Sequence, residues 1–333
     1  MFLCALYGSR KIIVSKLKRV ANIKMPENRK KYISEFIKKQ AGELGFFQCG
    51  ISKAEFMKYE SEKINDWLKK GFHGEMFYMQ NNLEKRLDPR LLHENAKSII
   101  SVLFNYFPEK TEFQKNNFIV SKYAFGKDYH FVIKNKLKEL LKFIEDKFGK
   151  VSARIFIDSA PVLEKAWAER AGLGWIGKNT CLINKNAGSF FFIGEIIIDI
   201  ELAYDKPYKN FCGNCTKCLD ACPTKALIKP YTLDSRKCIS YLTIENKENL
   251  PEELKEKFES QIFGCDICQD VCPFNRFSQK HSEPDFLPSD EFVNLRKEDW
   301  KNLTKEDFNR IFKKSAIKRT KFEGLKRNID FIK

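Results

Sequence analysis

The chain has 333 residues, with 60 Lys and Arg against 44 Asp and Glu and a formal net charge of +16. It is long enough for two domains with substantial cores, and the positive surplus favours a polyanionic partner. No run of about 18 apolar residues occurs, which excludes a helical membrane span.

Residues 1–24 carry six basic side chains and no acid. The charges follow the apolar patch MFLCALYG, the wrong order for a secretory signal, so this stretch reads as an upstream extension that N-terminal sequencing would test. Met25-Pro26 then opens a helix over residues 30–44, and a second helix covers 55–69. Residues 97–107 (KSIISVLFNYF) are a dense β-branched and aromatic run, the pattern of a buried strand. An amphipathic helix over 131–148 places Leu137, Leu140, Leu141 and Ile144 on one face. Residues 152–158 (SARIFID) form a strand ending in an acid, and a helix follows over 161–171.

Next come Gly172, Gly174 and Gly177 at the spacing G-x-G-x-x-G. A dinucleotide loop of that spacing needs a strand before it and a helix after it. Here the order is reversed, because the helix precedes the glycines and a short strand over 180–184 follows. The glycines therefore mark a tight turn or a close approach of backbone. A second strand over 189–202 completes an α/β (α+β) layer with a mixed sheet. The expected organisation is an extension at 1–24, a catalytic domain at 25–205, a cysteine-rich module at 206–278 and a basic helical segment at 279–333.

Eight of the eleven cysteines lie between Cys212 and Cys272. With no export signal before them, metal ligation in a reducing cytoplasm is expected rather than disulfide formation. Cys212, Cys215, Cys218 and Cys222 with Pro223 spell C-x2-C-x2-C-x3-C-P, a bacterial ferredoxin run. Cys265, Cys268 and Cys272 with Pro273 repeat it without the first cysteine, and Cys238 supplies the missing thiol. In such runs the cysteine before proline ligates the other cluster. One 4Fe-4S cluster is thus assigned to Cys212, Cys215, Cys218 and Cys272, and the second to Cys222, Cys238, Cys265 and Cys268. Zinc knuckles are the competing reading, but they use paired C-x2-C units, often with histidine, and lack the trailing Cys-Pro. Cys4, Cys49 and Cys181 read as small apolar residues.

The stretches DSAPVLEKAWAERAGLGWIGKNTCLI (158–183), CGNCTKCLDACPTKAL, KCISYLTIE (237–245) and IFGCDICQDVCPFNRF (262–277) together closely resemble the epoxyqueuosine reductases. HGEMFYM, LDPRLL and YAFGKDYH, further upstream, resemble the same family. The resemblance implies a cobalamin domain, a two-cluster ferredoxin module, and reduction of an epoxide on a modified tRNA base to the alkene. It implies that Asp158 is the proton donor, a role that suits its place at a strand end, where an N-cap of the following helix is the alternative. Apolar neighbours such as Phe156 are expected to desolvate it. Cobalamin contacts are expected from Ser121, Tyr123, Asp158, Gly174, Trp175, Gly177, Lys178, Asn179 and Ser240, with the glycines letting backbone lie flat along the macrocycle. The corrinoid motif D-x-H-x-x-G is nearly met by Asp128 and His130, but Ile133 replaces the glycine, so a base-off corrinoid without a protein ligand is expected and His130 becomes a pocket or packing residue.

For the tRNA, Lys314, Lys318, Arg319 and Lys321 are the candidate phosphate contacts, three of them at helical i, i+4 and i+7 spacing. Longer family members continue into helical repeats, and the tRNA contacts of those repeats are expected to be missing here. The remaining expectations are an external low-potential electron donor, a monomer, and a cytoplasmic location away from membranes. Two other readings compete. A corrinoid reductive dehalogenase would share the cofactors but usually carries a twin-Arg signal, and a non-catalytic ferredoxin-type carrier would need neither Asp158 nor KCISYLTIE.

Overall fold

The computed structural model describes residues 25–109 and 111–332. The expected extension at 1–24, with Cys4, lies outside the described residues. The central sheet has four strands: β1 (Gln48–Lys53), β2 (Ser98–Asn105), β7 (Phe191–Ile198) and β4 (Ala153–Phe156), in the order β1-β2-β7-β4. Every neighbour pair in it is antiparallel. The α/β class therefore stands, but the mixed sheet does not. Alternation of helices and strands along the chain suggested a mixed sheet, but it does not fix strand direction, and the long apolar runs of β2 and β7 reflect burial of both faces by helices.

Alternation along β2 shows this division. Ile100, Val102 and Phe104 face a core shared with α1 (Glu27–Glu43) and α3 (Tyr129–Phe148), where Ile33, Ile37, Ile133, Leu137 and Ile196 are also buried. Each such side chain contributes about 1.5–3 kcal/mol on leaving water. Ile99, with Ile197 and Phe156, faces the opposite way, against α4 (Glu164–Arg170) and Met57 and Ile64 near α2 (Lys58–Lys69). The expected helix over 161–171 is shorter, because Leu163 is its N-cap and makes no side-chain cap bond.

The glycine segment hides a hairpin of two-residue strands, β5 (Trp175–Ile176) and β6 (Leu182–Ile183). A further pair, β3 (Ile119–Val120) and β10 (Gln261–Phe263), is parallel, and β8 (Leu227–Lys229) pairs with β9 (Thr232–Leu233) in the cysteine-rich region. The C-terminal segment does not stand apart. Trp300, Phe308, Phe312, Ile317, Leu325 and Ile329 share one core with Phe118, Val120, Phe125, Ile262 and Phe263. Among the described residues no helix is long and apolar enough to cross a membrane.

Candidate functional site

Two short helices, α5 (Lys217–Ala221) and α6 (Ile267–Asp270), pack together and carry the two cysteine runs. Around them the thiols separate into two cavities. A small one is lined by Cys212, Cys215, Cys218 and Cys272. A larger one, of about 210 Å³, is lined by Cys222, Cys238, Cys265 and Cys268, with Cys181 beside them. Cys181 thus faces a thiol cavity instead of filling a core, while Cys49 packs against the α1–α3 core as expected. Among the described residues no three ligating side chains close on a point that a single ion would occupy. The thiols surround a volume, which suits a many-atom cluster with one sulfur at each iron.

The glycine segment lies against these cysteine loops. Trp175 Nε1 donates to Cys212 Sγ at 3.4 Å, Lys178 Nζ donates to the carbonyls of Gly213 at 2.7 Å and Cys215 at 2.9 Å, and Asn179 Nδ2 donates to the Cys268 carbonyl at 3.2 Å. Gly174, Trp175 and Gly177 are buried. Asn179 also lines the larger thiol cavity, which joins the open cleft described below, while Gly174, Trp175, Gly177 and Lys178 line neither space and belong to a brace between hairpin and cysteine loops. The glycines follow from that brace. Gly172 ends α4 at φ +71, a conformation that disfavours side chains. A Cβ on Gly174 would sit 2.3 Å from the Ile183 carbonyl oxygen across the hairpin. Ser121 is buried too, and its hydroxyl donates to the Asp266 carboxylate at the wall of the larger thiol cavity.

An open cleft of about 560 Å³ lies over that cavity, walled by Tyr123, Tyr129, His130 and Asp158 on one side, Ser240, Tyr241 and Glu245 on another, and Lys318 and Arg319 at the C-terminal side. Tyr123, Leu233, Cys238 and Ser240 line both spaces and join them.

Asp158 stands two residues beyond β4 at φ +52, in the left-handed region. A non-glycine residue there costs about 1–2 kcal/mol, so its surroundings must hold it. Three contacts do so. The Tyr129 hydroxyl donates to Asp158 Oδ2 at 2.6 Å, the Asp158 N–H donates to the Glu164 carboxylate, and Arg86 Nη1 reaches the Ala160 carbonyl at 3.5 Å. Tyr129 is fixed in turn by stacking on Phe192, with ring centres 4.2 Å apart, and burial with the nearby Asp158 charge pushes its hydroxyl well above the ordinary tyrosine range. His130 Nε2 lies 3.6 Å from Asp158 Oδ2, while His130 Nδ1 pairs with Asp128 at 2.7 Å. Asp128 also caps α3 by accepting the His130 N–H.

The Asp158 side chain is 47% exposed. Phe156 points into the core beneath α4, so the desolvation expected from it is not supplied. Asp158 is not the cap of α4 either, since that helix starts six residues later. Tyr129, Glu164 and Arg86 were not singled out from sequence. Tyr129 and Glu164 stand inside the stretches that carry the resemblance, but a tyrosine just before one predicted helix and a glutamate within another read as surface or core residues until the strand end is seen to meet them.

The basic stretch is also corrected. Residues 311–321 contain no continuous helix: one ends at Ile311, a 3₁₀ turn spans Ala316–Thr320, and Lys321, at φ +61, opens α7 (Lys321–Ile332). Ser315 caps that turn through its hydroxyl, which breaks the i, i+4, i+7 face. Lys318 and Arg319 reach the cleft, where Arg319 pairs with Glu245 at 2.7 Å, whereas Lys314 lines a separate cavity and Lys321 lines neither.

Comparison with known proteins agrees with this arrangement. Residues 211–275 match the family model of a 4Fe-4S double cluster binding domain, and residues 86–159 match that of "Epoxyqueuosine reductase QueG, DUF1730". The epoxyqueuosine reductase of Cellulophaga algicola is 54% identical over 306 residues, covering 92% of this chain and 100% of the relative. That of Escherichia coli K12 is 44% identical over 261 residues, or 77% of this chain and 69% of the relative. Among solved structures, an epoxyqueuosine reductase with a tRNA-Tyr epoxyqueuosine-modified stem loop superposes with a TM-score of 0.83 at 29% identity, over 90% of this chain and 80% of the other. The Streptococcus thermophilus enzyme gives 0.80 at 32% identity, over 90% and 80%. Identity of 54% over 92% of this chain and the whole of a relative, with both family models matched, means that the chain belongs to the epoxyqueuosine reductase family.

Proposed function

We propose that the chain reduces epoxyqueuosine to queuosine in tRNA, with Asp158 as proton donor in a cleft fed with electrons from two cysteine-bound clusters. The observation that carries this reading is the meeting of three functions in one space. A braced acid, two cationic side chains and the Cys238 wall of a thiol cavity all line the same cleft. Reduction of an epoxide to an alkene consumes two electrons and two protons and releases water.

The crossed ligand sets fit the two cavities. Cys212, Cys215, Cys218 and Cys272 would hold the outer 4Fe-4S cluster, which takes electrons from an external low-potential donor. Cys222, Cys238, Cys265 and Cys268 would hold the inner one beside the cleft. The catalytic unit is residues 25–205, with the cluster module at 206–278 and a C-terminal segment that completes the cleft.

Cobalamin would be the cofactor of the joined space, held by the residues that line it. His130 is engaged by Asp128, and Cys238 belongs to the thiol set. Tyr123 and Ser240, which line both spaces, would hold its ring; when bound there, such a group supplies two-electron nucleophilic reduction at carbon. The chain's own residues do the remaining work. Asp158 gives its proton to the departing epoxide oxygen, Tyr129 fixes the carboxyl that does so, and Lys318 and Arg319 hold phosphates of the stem loop. An anticodon loop is already single-stranded, which lowers the cost of presenting its base.

The direct test is mass spectrometry of nucleosides after incubating epoxyqueuosine-containing tRNA with the cluster- and cobalamin-loaded protein and a reductant. Queuosine is the expected product, and its absence with both cofactors intact sinks the reading. A second expectation concerns the phosphate-binding side chains. Charge reversal at Lys318 and Arg319 weakens stem-loop binding and flattens its salt dependence by about one counterion for each phosphate no longer neutralised, whereas Lys314→Glu leaves both unchanged. Fluorescence titrations at several salt concentrations check this, and equal effects at Lys314 would move the tRNA site elsewhere.

A further inference from the structure

Behind the Asp158 loop lies a pair of acids that the reading above does not use. Glu164, the first residue of α4, turns its carboxylate back to accept the Asp158 N–H. Glu195 stands in the middle of β7, in register with Phe156 on β4 and Ser101 on β2, on the face that α4 covers. Its side chain is 0% exposed, and no donor reaches either carboxylate oxygen in ordinary geometry. The hydroxyl of Ser101, its partner in register, is likewise buried without a partner. What Glu195 does meet is the carboxyl of Glu164.

Two carboxyls that meet in a dry interior cannot both be ionised. An apolar pair would fill the same space more cheaply, so the acids call for a reason. The proton belongs on Glu195, which has nothing else to stabilise a charge. Once one proton has left, the negative charge belongs on Glu164, where the Asp158 N–H and the nearby Lys165 favour it. The other groups facing the pair are the Asp158 carboxylate on the loop, the Tyr129 hydroxyl from α3, and Arg86, whose guanidinium is held by the carbonyls of Tyr78 and Ala160.

We propose that Glu164 and Glu195, joined through one shared proton, are positioning residues for Asp158: the joined pair keeps Glu164 against the Asp158 amide and so holds the proton donor in the cleft. Loss of the shared proton sets two buried anions against each other, and Glu164 lets go of the Asp158 amide. The inference rests on Asp158 being the donor.

The pH dependence follows in sign. Burial and the neighbouring acids push Glu164 up to about 8 and Glu195 well above the ordinary glutamate value. Groups raised in the folded state bind more protons there than in the unfolded chain. Their contribution to stability is complete below the ordinary value of 4.5 and is lost as the pH rises from there, through about 8 for Glu164 and further up for Glu195.

Glu195→Gln is the informative variant, because glutamine cannot ionise and its amide still donates to Glu164. The experiment follows single-turnover rate against pH on the loaded enzyme with the epoxyqueuosine stem loop. It adds melting temperature against pH and the infrared band of a protonated carboxyl, both on the cluster-containing chain without cobalamin. In the wild type we expect kcat to fall at alkaline pH, above about 8, where the last proton of the pair leaves Glu195, with KM unchanged, together with a carboxyl band at neutral pH. In Glu195→Gln the falls in rate and in melting temperature above about 8 are absent, and the carboxyl band loses the Glu195 share while Glu164, raised by burial and by Asp158, keeps its own. Glu164→Ala lowers kcat by roughly tenfold at every pH without changing KM, as a small misplacement of a reacting group does. A wild type without the band, or a Glu195→Gln protein with the wild-type alkaline falls, overturns the proposal. If Glu195→Gln does not accumulate, Glu164→Gln, which removes the second ionisation from the other side, decides by the same criteria. Failure of Asp158 as donor is told apart by normal turnover in Asp158→Asn, which leaves the melting and infrared results standing.

Discussion

Asp158→Asn lowers turnover of epoxyqueuosine in tRNA by roughly 10² or more while stem-loop affinity and cluster absorbance stay at wild-type values. The size is the usual contribution of a positioned acid, about 2.7 kcal/mol of barrier. The substitution is clean for local reasons. Asparagine is one of the few residues that tolerate a left-handed backbone, so φ +52 adds little strain. Its amide oxygen can still accept from the Tyr129 hydroxyl, and its N–H can still donate to Glu164. Only the transferable proton is gone. Mass spectrometry of product nucleosides in a single turnover, with a parallel binding titration, measures both halves of the expectation. Near-normal turnover would reduce Asp158 to a turn residue between β4 and α4. An alanine there would be less informative, because it adds backbone strain and removes the hydrogen bond from Tyr129 together with the proton.

The parts of this molecule that were legible in the sequence are those whose signal is local. The cysteine runs were readable because C-x2-C-x2-C-x3-C-P is itself the geometry of thiols reaching successive irons. The helices were readable from apolar spacing, with α3 found almost to its ends. Asp158 was legible as the acid that follows a strand, two residues beyond the end of β4. What failed depended on what a segment meets across space. The continuous apolar run in β2 reports that both faces are covered, but carries no information on strand direction. Lys178 has a side chain suited to a phosphate, yet in the fold its acceptors are carbonyls of the cysteine loops. Lys314, Lys318 and Lys321 had helical spacing, and a serine cap with a 3₁₀ turn cancelled it. Glu195 was the least legible. In SFFFIGEIIIDIEL a single glutamate between a glycine and three isoleucines looks like the solvent-facing residue of an edge strand, and only the pairing of β7 between β2 and β4, under α4, buries it.

Cys272→Ala removes the outer cluster and spares the inner one, so iron content falls from two clusters to one and turnover with an external reductant is lost. Along the chain this is not the obvious outcome. Cys272 closes the same C-x2-C-x3-C-P run as Cys265 and Cys268, and it lies 54 residues from Cys218. In space the thiols are sorted otherwise, for Cys272 lines the cavity of Cys212, Cys215 and Cys218, while Cys265 and Cys268 line the cavity of Cys222 and Cys238. The cysteine before each proline therefore crosses to the other set. The inner cavity shares Cys238 with the cleft, and the outer one does not reach it. Loss of the outer cluster accordingly cuts the entry of electrons without touching the walls around Asp158. Two measurements separate this from a general collapse. Iron and sulfide analysis should give one intact cluster, and stem-loop affinity should be unchanged. Cys222→Ala provides the mirror case: it should damage the inner cluster and leave the Trp175-braced outer one in place, although Cys222 belongs to the outer run in sequence. If either variant keeps two full clusters, or if each damages the set of its own run, the crossed assignment is wrong and the two cavities do not mark the ligand sets.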